Sequence, residues 1–144
     1  MENTHKSSRV DECPLITLCK HHHENGNLSV VENFNELPFE LRRVYYLYDI
    51  PGGEERGGHS HHKCEEFIIA VSGSFDIVLN DGVKQRVVNL NRSNMGLLVK
   101  PGIWRILNNF SSGAVCLVLA SEAYDEADYV RSFDEFINLT SGKR

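Results

Sequence analysis

The sequence predicts an all-β fold, an antiparallel barrel of the jelly-roll type that carries one short C-terminal helix. Short segments rich in β-branched and aromatic residues recur at close, regular spacing along the 144 residues, which is typical of a barrel or sandwich. The tripeptide Asn80-Asp81-Gly82 lies between two such segments and is a strong hairpin signal. Apolar residues of the C-terminal tail recur at spacings of three and four, which favours a helix there.

The elements are expected in a simple order, with short turns between the strands. Residues 1–12 are polar and are expected to be a loose segment before a single domain over residues 13–140. The expected strands are 14–19, 28–32, 41–49, 67–71, 75–79, 87–90, 96–99, 104–107 and 114–119. The tail from 124 to 139 is expected to be a helix laid across the barrel. Three histidines, 21–23, precede a turn, and we expect them to be exposed because consecutive strand side chains alternate faces and cannot share one ion.

Composition excludes several classes of function. A chain of this length fits one domain. The net charge of −5, without a basic stripe, argues against nucleic acid, and the lack of a long apolar run argues against a membrane span. The N-terminus lacks the features of a secretory signal, so we expect a cytoplasmic protein. The four cysteines, which form no C-x-x-C pair and are expected to be reduced, are Cys13, Cys19, Cys64 and Cys116.

A glycine- and histidine-rich stretch near the middle of the chain concentrates its chemistry. The spacing runs Gly53, five residues, His59-x-His61, four residues, Glu66, six residues, Gly73, which is the first sequence motif of the cupin barrels. Residues two apart in a strand share a face, so His59 and His61 present two imidazoles side by side. Such a pair can ligate a metal or move protons.

The second cupin motif separates function from fold. Its matched positions are Gly96, Pro101, Gly102 and Asn109. Arg105 stands where the last metal histidine would be, and arginine cannot ligate a metal because it stays protonated. The usual ligand set is thereby reduced to His59, His61 and Glu66. These three could still hold iron or another divalent ion, so a metal-dependent, dioxygenase-like cupin stays open as an alternative, although a cation fits poorly beside a guanidinium.

The strand before the glycine-rich stretch has two unlike faces. Arg43 and Tyr45 share one face, and Tyr46 and Tyr48 share the other. An inward-facing arginine needs an anionic partner, so Arg43 and Tyr45 are candidate functional residues. We expect Tyr46 and Tyr48 to fill a half-buried surface.

From about residue 26 to residue 136, the chain resembles the sugar-nucleotide 3,4-ketoisomerases that act on TDP-4-keto-6-deoxyglucose. The segments that carry the resemblance are Leu37-Pro-Phe39, Arg43-Val-Tyr-Tyr46, Arg56-Gly-x-His59-x-His61, Val71-Ser-Gly-Ser74, Asp81-Gly82, Gly96-Leu97, Pro101 with Trp104, Val118-Leu-Ala-Ser121 and Tyr124-Asp-Glu-x-Asp-Tyr-Val-Arg131. The chain departs from the family at four places. The family often has alanine at Ser60, lysine at His62 and glutamine at Glu66, and an Asp-x-Arg-Gly segment near 24–27.

The resemblance implies a cupin homodimer that acts on a dTDP-linked 4-keto-6-deoxyhexose and needs no metal or other cofactor. It implies that His59 and His61 transfer protons and that Tyr45 matches the family tyrosine. The keto group moves from C4 to C3 when the acidic C3 proton is removed and a proton reaches C4 through an enediol. Imidazoles with a pKa of about 6.5 can act as base and as acid at neutral pH. Which of His59 and His61 is the base stays open.

Other roles follow from the same resemblance. Tyr45 is a candidate donor to the enediolate oxygen, and Arg43, Arg56 and Arg105 are candidates for that oxygen or for the diphosphate, which arginine binds bidentately. The sequence does not assign one job to each arginine. Whether Glu66 permits metal binding also stays open.

The biological role that we expect is a step in deoxysugar synthesis. The 3-keto product would feed a pyridoxal-phosphate aminotransferase that makes a 3-amino-3,6-dideoxyhexose for lipopolysaccharide or another surface glycan. The sequence does not determine the configuration at C4, where we prefer galacto to gluco and expect Arg105 to bear on the choice. A non-catalytic sugar-nucleotide binding module is a further alternative, but such a module has no evident need for paired imidazoles.

Overall fold

The computed structural model describes residues 5–141 and contains two five-stranded antiparallel sheets, a two-stranded hairpin and one α-helix. The strands are β1 Leu15–Thr17, β2 His21–His23, β3 Gly26–Leu28, β4 Arg43–Leu47, β5 Arg56–His61, β6 Glu66–Ser72, β7 Phe75–Asn80, β8 Gln85–Leu90, β9 Met95–Val99, β10 Trp104–Asn108, β11 Val115–Ala120 and β12 Tyr129–Val130. The helix α1 is Phe133–Ser141, and two 3₁₀ turns are Val10–Glu12 and Glu126–Asp128. The predicted all-β, antiparallel class with a short C-terminal helix is confirmed.

The two sheets enclose the main core. The first has the strand order β1-β9-β6-β11-β4, and the second has the order β12-β5-β10-β7-β8. Along β7 every second residue is buried, because successive side chains of a strand point to opposite faces. Phe75, Ile77 and Leu79 of β7 therefore pack with Ile68 and Val118 of the other sheet in one apolar cluster.

Residues 124–132 do not form the helix that was expected over 124–139. Asp125 caps a short 3₁₀ turn by accepting the Ala127 N–H, and Tyr129 then pairs with His61 at the edge of the second sheet. The edge of β5 thus supplies the backbone partners of Tyr129 and Val130, in place of the hydrogen bonds within a helix. The helix begins only at Phe133, and its Phe136 packs with Trp104 on the outer side of the sheet.

The N-terminal segment also differs from expectation. Residues 1–4 lie outside the described residues, but residues 5–12 pack against the sheets instead of being loose. Val10 is buried, and its N–H donates to the Asp81 carboxylate. The Lys6 N–H donates to the His62 carbonyl. Because these contacts bury polar and apolar groups together, the segment is part of the folded unit.

The histidine run at 21–23 is exposed, as expected, and forms β2 of a hairpin with β3. The second arm of this hairpin is Gly26–Leu28, earlier in the chain than the predicted strand over 28–32. None of the helices among residues 5–141 has the length and the apolar character that crossing a membrane requires.

Candidate active site

The functional residues meet at one end of the core because strands from both sheets contribute to it. β5 carries His59 and His61, β6 carries Glu66, and β10 carries Arg105. Arg105 pairs with His59 across the sheet. The predicted first-motif histidines and the Arg105 that replaces the usual histidine therefore belong to one buried cluster, in which Glu66 comes from the opposite sheet.

Arg105 and Glu66 form the centre of this cluster. Both side chains are almost fully buried, and Nε of Arg105 lies 2.7 Å from Oε1 of Glu66, an ion-pair distance without good hydrogen-bond direction. The second carboxylate oxygen of Glu66 accepts a short hydrogen bond from the Tyr45 hydroxyl. Burial alone would raise the pKa of Glu66, but the Arg105 charge and these donors hold it far below its ordinary value.

His59 lies at the wall of the cluster that faces solvent. Its Nε2 is 3.0 Å from Nη2 of Arg105, and the same Nη2 donates to the Tyr45 hydroxyl at 2.8 Å. Guanidinium nitrogens only donate, so Nε2 of His59 is the acceptor and the imidazole is neutral. Burial and the adjacent Arg105 charge lower the pKa of His59 to about 2.

His61 has the opposite surroundings. Its Nδ1 lies 3.1 Å from Oδ2 of Asp128, and its Nε2 lies 3.6 Å from Oε1 of Glu66. Burial alone would lower the pKa of His61, but the hydrogen bond to Asp128 and the Glu66 charge raise it above its ordinary value. Asp128 is itself buried and also accepts the N–H groups of Lys63 and Cys64.

A cleft of about 360 Å³ opens in front of this cluster. Its lining residues are Arg43, Tyr45, Leu47, Arg56, Gly57, His59, Arg105, Leu107, Tyr124, Tyr129 and Arg131. The residues predicted for the isomerase site all line this cleft except His61, and Glu66 of the metal alternative does not line it. His61 lies behind its wall, with the ring of Tyr129 4.4 Å from its own ring centre.

Cationic side chains surround the mouth of the cleft. Arg43 is half-buried, with its guanidinium 5.4 Å from the ring centre of Tyr45 and 5.6 Å from that of Tyr124. Arg131 lies over Tyr129 at 4.3 Å and makes a two-point ion pair with Glu126. Such guanidinium groups, held by rings and carboxylates, are suited to an anionic ligand.

The three side chains of the metal hypothesis do lie together. One ligand atom of each of His59, His61 and Glu66 lies within 4.8 Å of the others. However, Arg105 already occupies two of these groups, with one nitrogen at Oε1 of Glu66 and another at Nε2 of His59. A cation would have to sit beside a buried guanidinium and compete for the same lone pairs, so this donor set does not fit a metal.

The sequence did not reveal Asp128, Tyr129 or Arg131 as site residues. Asp128 ends the 3₁₀ turn at Glu126–Asp128, Tyr129 begins β12, and Arg131 follows β12, so the pairing of β12 with β5 brings all three to the site. The only signal was the segment 124–131 that carried part of the family resemblance, and it was interpreted as a helix.

Fold and site together define a cupin-type enzyme whose buried acid–base cluster opens on an arginine-lined cleft. A family model described as "FdtA: WxcM-like, C-terminal" matches residues 11–141. The TDP-4-oxo-6-deoxy-alpha-D-glucose-3,4-oxoisomerase of Aneurinibacillus thermoaerophilus is 40% identical over 111 residues, which are 77% of this chain and 80% of the relative. The chain belongs to this family of sugar 3,4-ketoisomerases, and the resemblance seen in the sequence is confirmed.

Solved structures agree with this assignment. The sugar 3,4-ketoisomerase QdtA of Thermoanaerobacterium thermosaccharolyticum, in complex with TDP, is 34% identical, with a TM-score of 0.91 over 94% of this chain and 98% of that one. A mutant of the same enzyme has been solved with TDP-4-keto-6-deoxyglucose. The TDP-quinovose 3,4-ketoisomerase WlaRB of Campylobacter jejuni is 43% identical, with a TM-score of 0.86 over 90% of this chain and 99% of that one.

Proposed function

We propose that this protein moves the keto group of TDP-4-keto-6-deoxyglucose from C4 to C3. One observation supports this most directly: a single nitrogen, Nη2 of Arg105, contacts both the imidazole of His59 and the hydroxyl of Tyr45 at the cleft wall. Keto transfer needs a base, an acid and a cation at the same reacting atoms. The relatives are named for this reaction, and the cleft offers these groups together.

His59 is the group that we assign to removal of the C3 proton. It lines the cleft, and its Nε2 accepts from Arg105, so the imidazole is neutral and carries a lone pair that can accept a proton when this contact is released. Its Nε2 faces Arg105 in the unliganded site. When the substrate binds, we expect the Arg105 N–H that contacts Nε2 of His59 to turn to a substrate oxygen. This change frees the Nε2 lone pair of His59.

Tyr45 and Arg105 are assigned to the oxygen at C4. Removal of the C3 proton places negative charge on this oxygen, and a buried guanidinium stabilises such charge strongly. The Tyr45 hydroxyl already lies 2.8 Å from Arg105, so both groups can reach one oxygen. This geometry supports Tyr45 as the donor that the sequence predicted.

The diphosphate is assigned to the remaining arginines. Arg43, Arg56 and Arg131 are the other arginines that line the cleft, and their planar guanidinium groups suit phosphate oxygens. A non-catalytic binding module would use the same arginines. It would not need the buried imidazole, carboxylate and guanidinium cluster, whose burial is costly.

The C4 configuration of the product is proposed to be gluco. The 43% identity to an enzyme named for TDP-quinovose, a 6-deoxyglucose derivative, supports this choice over the galacto product preferred from the sequence. Arg105 is the residue that we expect to influence the configuration at C4. An unchanged configuration in Arg105→His would remove that role.

A homodimer, cytoplasmic location and a following aminotransferase are further parts of the proposal. The first five-stranded sheet has β4 at its edge, and Val44, Tyr46 and Tyr48 are exposed on or just beyond it. An apolar edge of this kind is suited to a second copy of the chain. The new C3 ketone is the functional group that an aminotransferase requires.

The test is proton NMR of TDP-4-keto-6-deoxyglucose incubated with chelated, metal-analysed protein. In D₂O we expect the 3-keto isomer with deuterium at C4. In H₂O the coupling between H4 and H5 of the product should be large for gluco and small for galacto. Turnover only after a divalent ion is added would favour the metal-dependent cupin instead, and no turnover in either case would contradict the isomerase.

A further inference from the structure

We propose that His61, Glu66 and Tyr45 form a buried proton relay that serves the cleft from behind, with Asp128 as the positioning residue at its far end. The inference rests on the proposed isomerase function. It assigns His61 a task that does not require contact with the sugar, since Tyr129 and His59 separate its ring from the cleft.

Two facing atoms define the central link of the relay. Nε2 of His61 and Oε1 of Glu66 lie 3.6 Å apart. Both atoms are buried, and neither makes a well-directed hydrogen bond to a residue of 5–141, although Oε1 also lies 2.7 Å from Nε of Arg105. A buried N–H of His61 without a hydrogen bond is costly. A shift of a few tenths of an ångström would join the two atoms, so the geometry favours a proton between the two groups.

The other carboxylate oxygen of Glu66 leads to the cleft. Oε2 accepts the Tyr45 hydroxyl hydrogen, and Tyr45 lines the cleft. The carboxylate thus links a histidine that the substrate does not reach to a phenol that it does. Glu66 can take a proton from His61 at Oε1, hold it briefly as the neutral acid, and give it to the Tyr45 oxygen once the carboxyl group has turned that proton towards Tyr45.

Asp128 sets the orientation and tautomer of His61. An ionised carboxylate only accepts hydrogen bonds, so Nδ1 of His61 carries the proton of the 3.1 Å contact. The N–H groups of Lys63 and Cys64 hold the carboxylate in place. The second nitrogen, Nε2, is thereby directed to Glu66 and becomes the exchanging site.

The charges around His61 favour its protonated form. Glu66 and Asp128 face its two nitrogens, and the other charged or titratable groups nearby are Arg105, His59, Tyr129 and Cys64. Two carboxylates and two cations, Arg105 and protonated His61, leave the cluster neutral overall. The raised pKa of His61 agrees with this arrangement.

The relay balances the protons of the reaction. His59 takes the C3 proton, and Tyr45 gives its hydroxyl proton to the oxygen at C4 while one moves from His61 through Glu66 to Tyr45. His59 then returns a proton to C4, the C3 hydroxyl proton re-enters the relay at Tyr45, and His61 is recharged. No proton is gained or lost over the cycle, and no redox partner is needed.

Glutamate at position 66 is what makes this relay possible. A glutamine amide in this place could hydrogen-bond but would not transfer a proton readily. We therefore expect Glu66→Gln to lower kcat by roughly 10- to 100-fold at neutral pH, within the range for lost acid–base assistance. Glu65→Gln is the matched control, since Glu65 is the adjacent carboxylate and pairs with Lys100 outside the cluster. A kcat in Glu66→Gln within twofold of the parent, with an unchanged pH profile, would overturn the relay.

Two measurements keep the inference testable if Glu66→Gln does not fold. Nitrogen-15 NMR of the parent protein without added substrate should show His61 protonated at both nitrogens at pH 6.5, and a neutral His61 at that pH would overturn the proposal.

The second measurement uses Asp128→Asn. In this variant the loss of a carboxylate should lower the pKa of His61 and shift the alkaline limb of kcat to lower pH, by about 1 unit. If the alkaline limb of kcat stays at the same pH in Asp128→Asn, Asp128 has only a structural role and does not position His61 for proton transfer. If the parent protein does not isomerise the sugar, the proposed function fails, while the NMR result still shows whether the protonated pair exists.

Discussion

His59 and His61 are two residues apart on one strand, yet their neighbours shift their pKa values in opposite directions. Burial and Arg105 keep His59 neutral, with a pKa of about 2. Asp128 and Glu66 outweigh burial at His61 and raise its pKa. Identical side chains on the same face of β5 thereby suit different tasks, one accepting a proton and the other storing one.

The low pKa of His59 predicts that acid destabilises the fold. The unfolded chain binds a proton at this residue below pH 6.5, whereas the folded chain does not, so the free energy of unfolding should fall as pH falls. The slope should rise from about 0.7 kcal/mol per pH unit at pH 6.5 to about 1.4 at pH 4.5, where the unfolded residue is almost fully protonated. His61 has a raised pKa, so its contribution to the free energy of unfolding is fully present below pH 6.5. That contribution is lost only as pH rises. Urea unfolding at pH 6.5, 5.5 and 4.5 measures the slope.

The variant His59→Gln should lose this part of the pH dependence. His21→Gln is the control, because His21 is an exposed histidine of the β2–β3 hairpin, and it should keep the slope of the parent. If His59→Gln and the parent lose stability in parallel over this range, the assignment of the acid sensitivity to His59 is wrong.

At the scale of elements, the pairing of β6 with β9 depends on one glycine. Gly96 lies opposite Ile69 in the ladder, and the ring of Phe67 covers it so closely that an added Cβ would lie 2.3 Å from the ring. Phe67 is fully buried, so its ring has little room to move. The glycine of the second cupin motif thus has a packing reason in this chain.

Gly96→Ala should therefore destabilise the protein by about 1–3 kcal/mol through overpacking. Gly52→Ala is the control, because nothing lies within 4 Å of a Cβ at Gly52, and it should change stability by less than about 0.5 kcal/mol. Thermal and urea unfolding of both variants give the comparison. Equal stabilities for the two would show that Phe67 can move aside.

The strands were predictable from sequence, whereas β12 and its residues were not. Period-two patterns locate β7 within one residue of the prediction, because its alternation reflects one buried face. β12 has only two residues, and Tyr129 and Val130 become a strand through their pairing with β5. A local pattern contains no information about such a partner, so apolar spacing there was mistaken for a helix.

The same reasoning applies to the candidate site. The strand pattern predicted that His59 and His61 share a face, and the match to the first cupin motif added Glu66 to them. Neither could show that Arg105 occupies two of those groups, or that His61 lies behind the cleft wall. These relations depend on the distance between strands that are far apart in the sequence.

At the scale of the whole molecule, the exposed edge at β4 is the clearest surface for a second copy. Tyr46 is 59% exposed and points away from the face that carries Arg43 and Tyr45. A lysine there would oppose burial without entering the cleft. We expect Tyr46→Lys to weaken the homodimer at least tenfold, about 1.4 kcal/mol.

Sedimentation equilibrium of parent and variant tests this prediction. Val87→Lys is the matched control, since Val87 is an equally exposed apolar residue on β8, at the far edge of the other sheet. A parent that is monomeric at micromolar concentration would contradict the homodimer. A dimer weakened by Val87→Lys but not by Tyr46→Lys would place the interface elsewhere.

The contact between His61 and Asp128 joins residues 67 positions apart in the chain. A ribosome-bound chain that has not yet reached Asp128 can hold both histidines but not the carboxylate that orients His61. Catalytic competence should therefore be acquired late, after most of the two sheets have assembled. Isomerase activity can then serve as a readout of completed folding, and a kinetic experiment could follow refolding through product formation.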